Sequence, residues 1–242
     1  MILALDATND PHNPDRMIDA DDARRMVGEL DDLVSFVKVG WALYMAGGNQ
    51  VVREFVERGK RVFLDLKFGD IDETVKRLVL VAVDQGVSFI TLNAGFSAVR
   101  AAVKARGNTQ LKILLVTMLT SWSEADLAEM GFTLSASECV AFRAKGAIEA
   151  GCDGVIASGR EVAEIRRIAP PGFLVVTPGI RPGGAGHDDH KRAVTPGASI
   201  LAGSDYLVVG RPITTAANPR LATTAILEEM QQAFDARTPS TR

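Results

Sequence analysis

Several features that mark large protein classes are scarce in this chain. Only 2 cysteines occur in 242 residues, Cys139 and Cys152, and they do not form a C-x-x-C pair. A reduced, cytoplasmic protein is therefore expected, with two inert small apolar side chains and no disulfide. Lys and Arg never cluster into a run, and the net charge is −3, which excludes the basic footprint of a nucleic-acid binder. No apolar run approaches the ~18 residues that a membrane span requires. The opening, MILALDATND, has no basic segment followed by an apolar core of leader length. Neither export nor a membrane is expected.

What is present is alternation. Short β-rich runs are expected as strands at residues 2–6, 36–40, 62–67, 89–93, 112–118, 154–157, 174–177 and 206–210. Helical patterns lie between them at 21–33, 49–58, 73–85, 97–105, 137–150, 160–168, 196–201 and 219–234, several ending just before a glycine. Ser137 is expected to cap the helix it opens. Eight strands, each followed by a helix, in 242 residues match the count and size of a (β/α)8 TIM barrel, a single domain over residues 1–236 with a flexible tail at 237–242. A doubly wound sheet would ordinarily carry a glycine-rich turn after its first strand, and ALDATND has none.

In a barrel the carboxyl ends of the strands form the active face, and the polar residues gather there: Asp6, Lys38, Asp65, Lys67, Asp70, Asn93, Thr120, Thr177 and Arg211. Arg58, Lys60 and Arg61, at the opposite ends, read as solvated loop charges. The stretch FLDLKFGDID (63–72) is the most informative. Alternation along a strand points Asp65 and Lys67 to one side, and buried opposite charges are costly unless paired. Lys38, Asp65, Lys67 and Asp70 are expected to form an alternating network that keeps all four ionised. The plainer readings are a structural salt-bridge cluster, a helix-capping role for Asp70 or Asp72, and a snorkelling Lys38. VVGRP (208–212) places Gly210 and Arg211 where a strand end meets a short helix, a cradle for a phosphate. Between strands seven and eight, RPGGAGHDDHKR (181–192) reads as a mobile lid or a functionless loop. His187, Asp188, Asp189 and His190 only superficially resemble metal ligands, and no metal is expected.

The string DLKFGDI resembles the D-x-K-x-x-D signature of the orotidine 5′-phosphate decarboxylases. ALD (4–6), VKVG (37–40), LTS (119–121), TPGIRP (177–182) and SDYLVVGRPIT (204–214) resemble further motifs of that family in the same order. The resemblance spans residue 2 to about 219. It implies a homodimeric barrel that decarboxylates orotidine 5′-monophosphate to uridine 5′-monophosphate in pyrimidine biosynthesis, with no cofactor. By matched position, Asp6 and Lys38 bind the ribose hydroxyls, Asp65 faces the substrate carboxylate, and Lys67 delivers the proton to C6. Asp70 and Thr74 reach into the second copy's site, with Ile71 a further substrate contact. Thr120 meets the pyrimidine edge, Pro178 lines the base pocket, and Arg211 with the Gly210 backbone holds the phosphate.

The chain departs from the family pattern in places. Gly69 and Asn93 stand where many members have His, Asp72 where Pro is usual, and His190 where a lid glutamine binds substrate. Two other readings remain: a Mg2+-dependent sister enzyme, such as a hexulose-phosphate synthase or keto-gulonate-phosphate decarboxylase, and a catalytically silent phosphate-binding barrel.

Overall fold

The computed structural model describes residues 1–6, 18–183 and 194–237. Eight parallel strands close on themselves: β1 (Ile2–Ala4), β2 (Phe36–Gly40), β3 (Arg61–Phe68), β4 (Phe89–Leu92), β5 (Lys112–Val116), β6 (Gly154–Ile156), β7 (Leu174–Thr177) and β8 (Tyr206–Val209), with β8 pairing back onto β1. The helices are α1 (Ala20–Glu29), α2 (Trp41–Glu57), α3 (Asp72–Asp84), α4 (Phe96–Arg106), α5 (Glu124–Glu129), α6 (Ala136–Glu149), α7 (Val162–Ile168), α8 (Pro196–Ala202), α9 (Arg211–Thr214) and α10 (Pro219–Arg237). The expected (β/α)8 TIM barrel is the fold found, and the closed sheet rules out the doubly wound alternative.

Alternation along the strands sorts side chains into two cores. Val37, Val39, Leu64, Ile90, Leu115 and Val209 face outward and pack with the helices. Ile2, Ala4, Phe36, Phe63, Phe89, Leu114, Val116, Ile156, Val176 and Val208 fill the barrel. The inward columns change character along their length. Phe36, Phe63 and Phe89 stack edge to face at the amino-terminal end, with centroids 4.9 and 5.9 Å apart. Two residues further along the same columns stand Lys38, Asp65 and Thr91, since inward positions repeat every second residue. The barrel is thus aromatic below and ionic above.

The structure corrects several expectations. Helix α2 joins two helical segments across a kink at Gly48 (φ 56°, ψ −151°); the segment after the kink matches the helix expected from Asn49, and the segment before it, from Trp41, was not foreseen. Helix α5 was not foreseen, although Ser123 and Asp126 make a reciprocal capping box at its start. The cap of α6 is Ser135, not Ser137, because Glu138 lies at the required spacing to return the bond. Arg237 belongs to α10 and donates to the Ile200 carbonyl at 2.9 Å; residues 238–242 lie outside the described residues. The charges at the amino-terminal end are not simply solvated. Lys60 is only 8% exposed in its side chain and donates to the Asp31 and Val34 carbonyls. The Arg61 guanidinium lies 4.1 Å from the Phe36 ring centroid and covers the aromatic floor.

Candidate active site

Each of the first three strands delivers a charge to the upper mouth of the barrel. Asp6 follows β1, Lys38 lies in β2, and Asp65 and Lys67 lie in β3. The Lys38 ammonium sits 2.7 Å from Asp6 Oδ2 and 3.4 Å from Asp65 Oδ2. Asp65 Oδ1 in turn accepts from Lys67 Nζ at 3.0 Å. Charges therefore alternate along Asp6, Lys38, Asp65 and Lys67. Burial disfavours the Lys38 ammonium, yet Asp65 and Asp6 outweigh it and raise its pKa. Burial likewise pushes Asp65 up, and the charges of Lys38 and Lys67 with the hydrogen bonds from Lys67 and Thr91 outweigh it, holding the carboxyl below the ordinary range. Both stay ionised through neutral pH. The Lys67 side chain is 36% exposed against 8% for Lys38, so Lys67 is the cation that presents itself to the mouth.

The local backbone explains how β3 aims its charges. Leu64 pairs with Ile90 and Phe68 with Leu92, so residues 65–67 bulge opposite the single residue Thr91. Lys67 has φ 48°, the one non-glycine residue with positive φ among the described residues. That conformation costs on the order of 1–3 kcal/mol and persists only where the surroundings dictate it. The reading that alternation alone aligns Asp65 and Lys67 is therefore incomplete: the strand is irregular at the residues that matter.

Two residues here escaped the sequence reading. Thr91 is fully buried and donates to Asp65 Oδ1 at 2.9 Å; the signal was a polar residue at an inward position of an apolar strand. Gly40, at the end of β2, is a steric necessity: a Cβ there would sit 2.6 Å from Asp6 Oδ1 and 3.2 Å from Lys38 Nζ. Gly69 is similar, with a Cβ falling 2.6 Å from the Asn93 carbonyl oxygen. Two departures from the family pattern, Gly69 and Asn93, are thus in contact. The Asn93 carboxamide also accepts from Arg143 at 3.4 Å.

Asp70 does not join the network within this chain; its place is taken by Asp6. Past the strand end it is exposed, its Oδ1 accepts the Ile71 N–H at 2.7 Å, and it has no ion-pair partner among the described residues. The capping alternative also fails, because Ile71 occupies the N-cap of α3 without a side-chain cap bond and Asp72 accepts from Ser97 at 3.0 Å. Nor does Lys38 snorkel; it is buried and paired. Ile71 is 72% exposed and Thr74 half-buried on the first turn of α3. Thr120 is half-buried between β5 and α5, and Pro178 half-buried after β7. After β8, Gly210 is the N-cap of α9, its carbonyl accepting from Ile213 at 2.8 Å and Thr214 at 3.0 Å, and Arg211 opens the helix partly buried. His187, Asp188, Asp189 and His190 lie outside the described residues. Cys139 and Cys152 are free and buried, and burial pushes the Cys152 thiol up to about 12.

A closed parallel barrel whose polar chemistry converges on the carboxyl ends of its strands defines a TIM-barrel protein with an ionic upper face. The comparisons with known proteins narrow this class. The chain belongs to the Orotidine 5′-phosphate decarboxylase / HUMPS family, whose model matches residues 1–226. It is 46% identical to the orotidine 5′-phosphate decarboxylase of Nitrobacter winogradskyi over 97% of this chain and 93% of that protein. It is 47% identical to that of Rhodopseudomonas palustris (strain BisA53) over 86% and 88%. A crystal structure of orotidine 5′-phosphate decarboxylase from Lactobacillus acidophilus superposes with a TM-score of 0.80 at 34% identity, covering 95% of this chain and 98% of that one.

Proposed function

We propose that this protein decarboxylates orotidine 5′-monophosphate to uridine 5′-monophosphate and CO2, a carboxy-lyase of pyrimidine biosynthesis. The observation that carries the reading is the alternating Asp6–Lys38–Asp65–Lys67 chain at the barrel mouth, in a family whose curated relatives bear this activity in their names. Loss of CO2 from C6 leaves an electron pair on carbon with no adjacent sink. Fixed charge must stabilise it. The Lys67 ammonium interacts more strongly once negative charge localises on C6, which is the differential binding that lowers a barrier. Its proton then passes to C6, so the carbanion becomes a C–H bond and Lys67 is left neutral until reprotonated. Asp65 faces the departing carboxylate and anchors Lys67. Asp6 and Lys38 take the ribose hydroxyls, Thr120 and Pro178 the base, and Gly210 and Arg211 the phosphate. His190 substitutes for a lid glutamine.

The catalytic unit is residues 1–236, working without metal or organic cofactor in the reduced cytoplasm; the free, buried Cys139 and Cys152 fit that compartment. It acts as a homodimer, with Asp70 and Thr74 serving the second copy's site and Ile71 a further substrate contact. Support comes from Asp70, which lacks an ion-pair partner among the described residues, and from exposed apolar side chains: Ile71 (72%) beside it, Trp41 (53%) directly after β2, and Met45 (77%) one turn further along α2. The test is the ultraviolet absorbance change of orotidine 5′-monophosphate with purified protein and EDTA. Turnover is expected to persist in chelator and to vanish in Lys67→Ala with the fold retained. Turnover lost on chelation would favour the Mg2+-dependent sister chemistry instead.

A further inference from the structure

We propose that Thr91 is a positioning residue for the decarboxylation, a hydroxyl clamp that sets the Asp65–Lys67 pair in its working geometry; this rests on the decarboxylase reading. The bulge leaves the Lys67 backbone N–H opposite Thr91 with no regular ladder partner. Thr91 Oγ1 accepts that N–H at 2.9 Å and donates its own proton to Asp65 Oδ1 at 2.9 Å. One fully buried atom therefore bonds both the backbone that must hold Lys67 at φ 48° and the carboxylate that anchors the Lys67 ammonium. A buried N–H without an acceptor is costly, and the bulge can relieve that cost only by moving. Movement there carries Asp65 and Lys67 with it. Thr91 lies in the layer above Phe89 and needs no contact with substrate to act in this way.

Thr91→Val keeps the shape and deletes the hydroxyl; Thr91→Ser keeps the hydroxyl; Thr91→Ala is a second hydroxyl-free variant for a site that rejects Val. Each is checked for folding by circular dichroism, assayed on orotidine 5′-monophosphate, and titrated calorimetrically with uridine 5′-monophosphate. Misplacing a reacting group lowers kcat more than affinity. The expected result is a kcat lowered roughly ten- to a hundred-fold in Thr91→Val, with KM and product Kd within about three-fold and Thr91→Ser restoring kcat to within about three-fold. Parental kcat in Thr91→Val overturns the proposal. So does a loss in Thr91→Ser as deep as in Thr91→Val, or a loss that appears equally in KM and product affinity. Failure of both hydroxyl-free variants to fold assigns Thr91 to the fold alone and overturns it too. An inactive parent protein would sink the decarboxylase reading and this proposal with it, whereas an active parent matched by Thr91→Val sinks only the proposal.

Discussion

Lys38 and Lys67 touch the same carboxylate but should behave differently when removed. Lys38 is buried between Asp6 and Asp65, so Lys38→Ala leaves two acids facing each other with half of the compensation gone. Breaking a buried pair of this kind costs about 3 kcal/mol or more. Lys67→Ala leaves Asp65 still paired with Lys38, and the loss of stability, read from urea unfolding, should be clearly smaller although turnover disappears. The pH dependence follows from the shifts. Asp65 has a lowered pKa, so its stabilisation is complete above the unfolded value near ~3.9 and fades as pH falls through the folded one. Lys38 has a raised pKa, so its contribution is complete below ~10.4 and fades as pH climbs through the folded value. The stability gap between parent and Asp65→Asn should therefore be level from about pH 5 to pH 9 and close below about pH 4. A gap that persisted in acid would show that the gap does not come from the Asp65 charge. Gly40→Ala tests the crowding at the same pair: its Cβ would lie 2.6 Å from Asp6 Oδ1, so kcat/KM should fall at least about ten-fold. An unchanged kcat/KM would mean that Asp6 has room to retreat.

At the scale of elements, the barrel is closed at its lower end by stacking rather than by loops. Arg61, at the start of β3, covers Phe36 at 4.1 Å and also reaches Tyr206 and Phe89 at 5.4 and 5.5 Å. Exposed cation–π contacts contribute about 0.5–1 kcal/mol each. Arg61→Ala should lower the melting temperature by a few degrees while leaving kcat and KM at parental values, because the aromatic floor lies below the ionic layer. A fall in kcat at unchanged stability would mean that the floor transmits strain to the site. The elements also show how far the sequence could be read. Strand β2 and strand β7 were legible to the residue, since an apolar run bounded by breakers is a local signal. In α2 the Gly47–Gly48 turn signal is realised as the kink at Gly48, so the segment from Asn49 was legible and the segment from Trp41 was missed. The bulge in β3 had no signal of its own: its register depends on β4, which lies over twenty residues away.

For the molecule as a whole, the proposed dimer makes each site depend on two copies. Mixing Lys67→Ala with Asp70→Ala should regenerate one intact site per hybrid dimer, and random exchange should restore about a quarter of parental activity. Each variant alone should be nearly inactive, and the parent should sediment as a dimer. No recovery on mixing, with exchange verified, would put Asp70 at work within its own chain.

By itself the sequence determined the barrel, the gathering of polar residues at the carboxyl ends of the strands, and the pairing of Asp65 with Lys67. Periodicity, turn chemistry and motif spacing are all written within a few consecutive residues. Only the tertiary structure decided that Asp6 rather than Asp70 completes the charge chain within one copy, that Lys67 sits in a strained bulge held by Thr91, and that Gly40 has no room for a side chain. Those outcomes depend on the register between strands distant along the chain, and register follows from how the closed barrel packs rather than from any single segment.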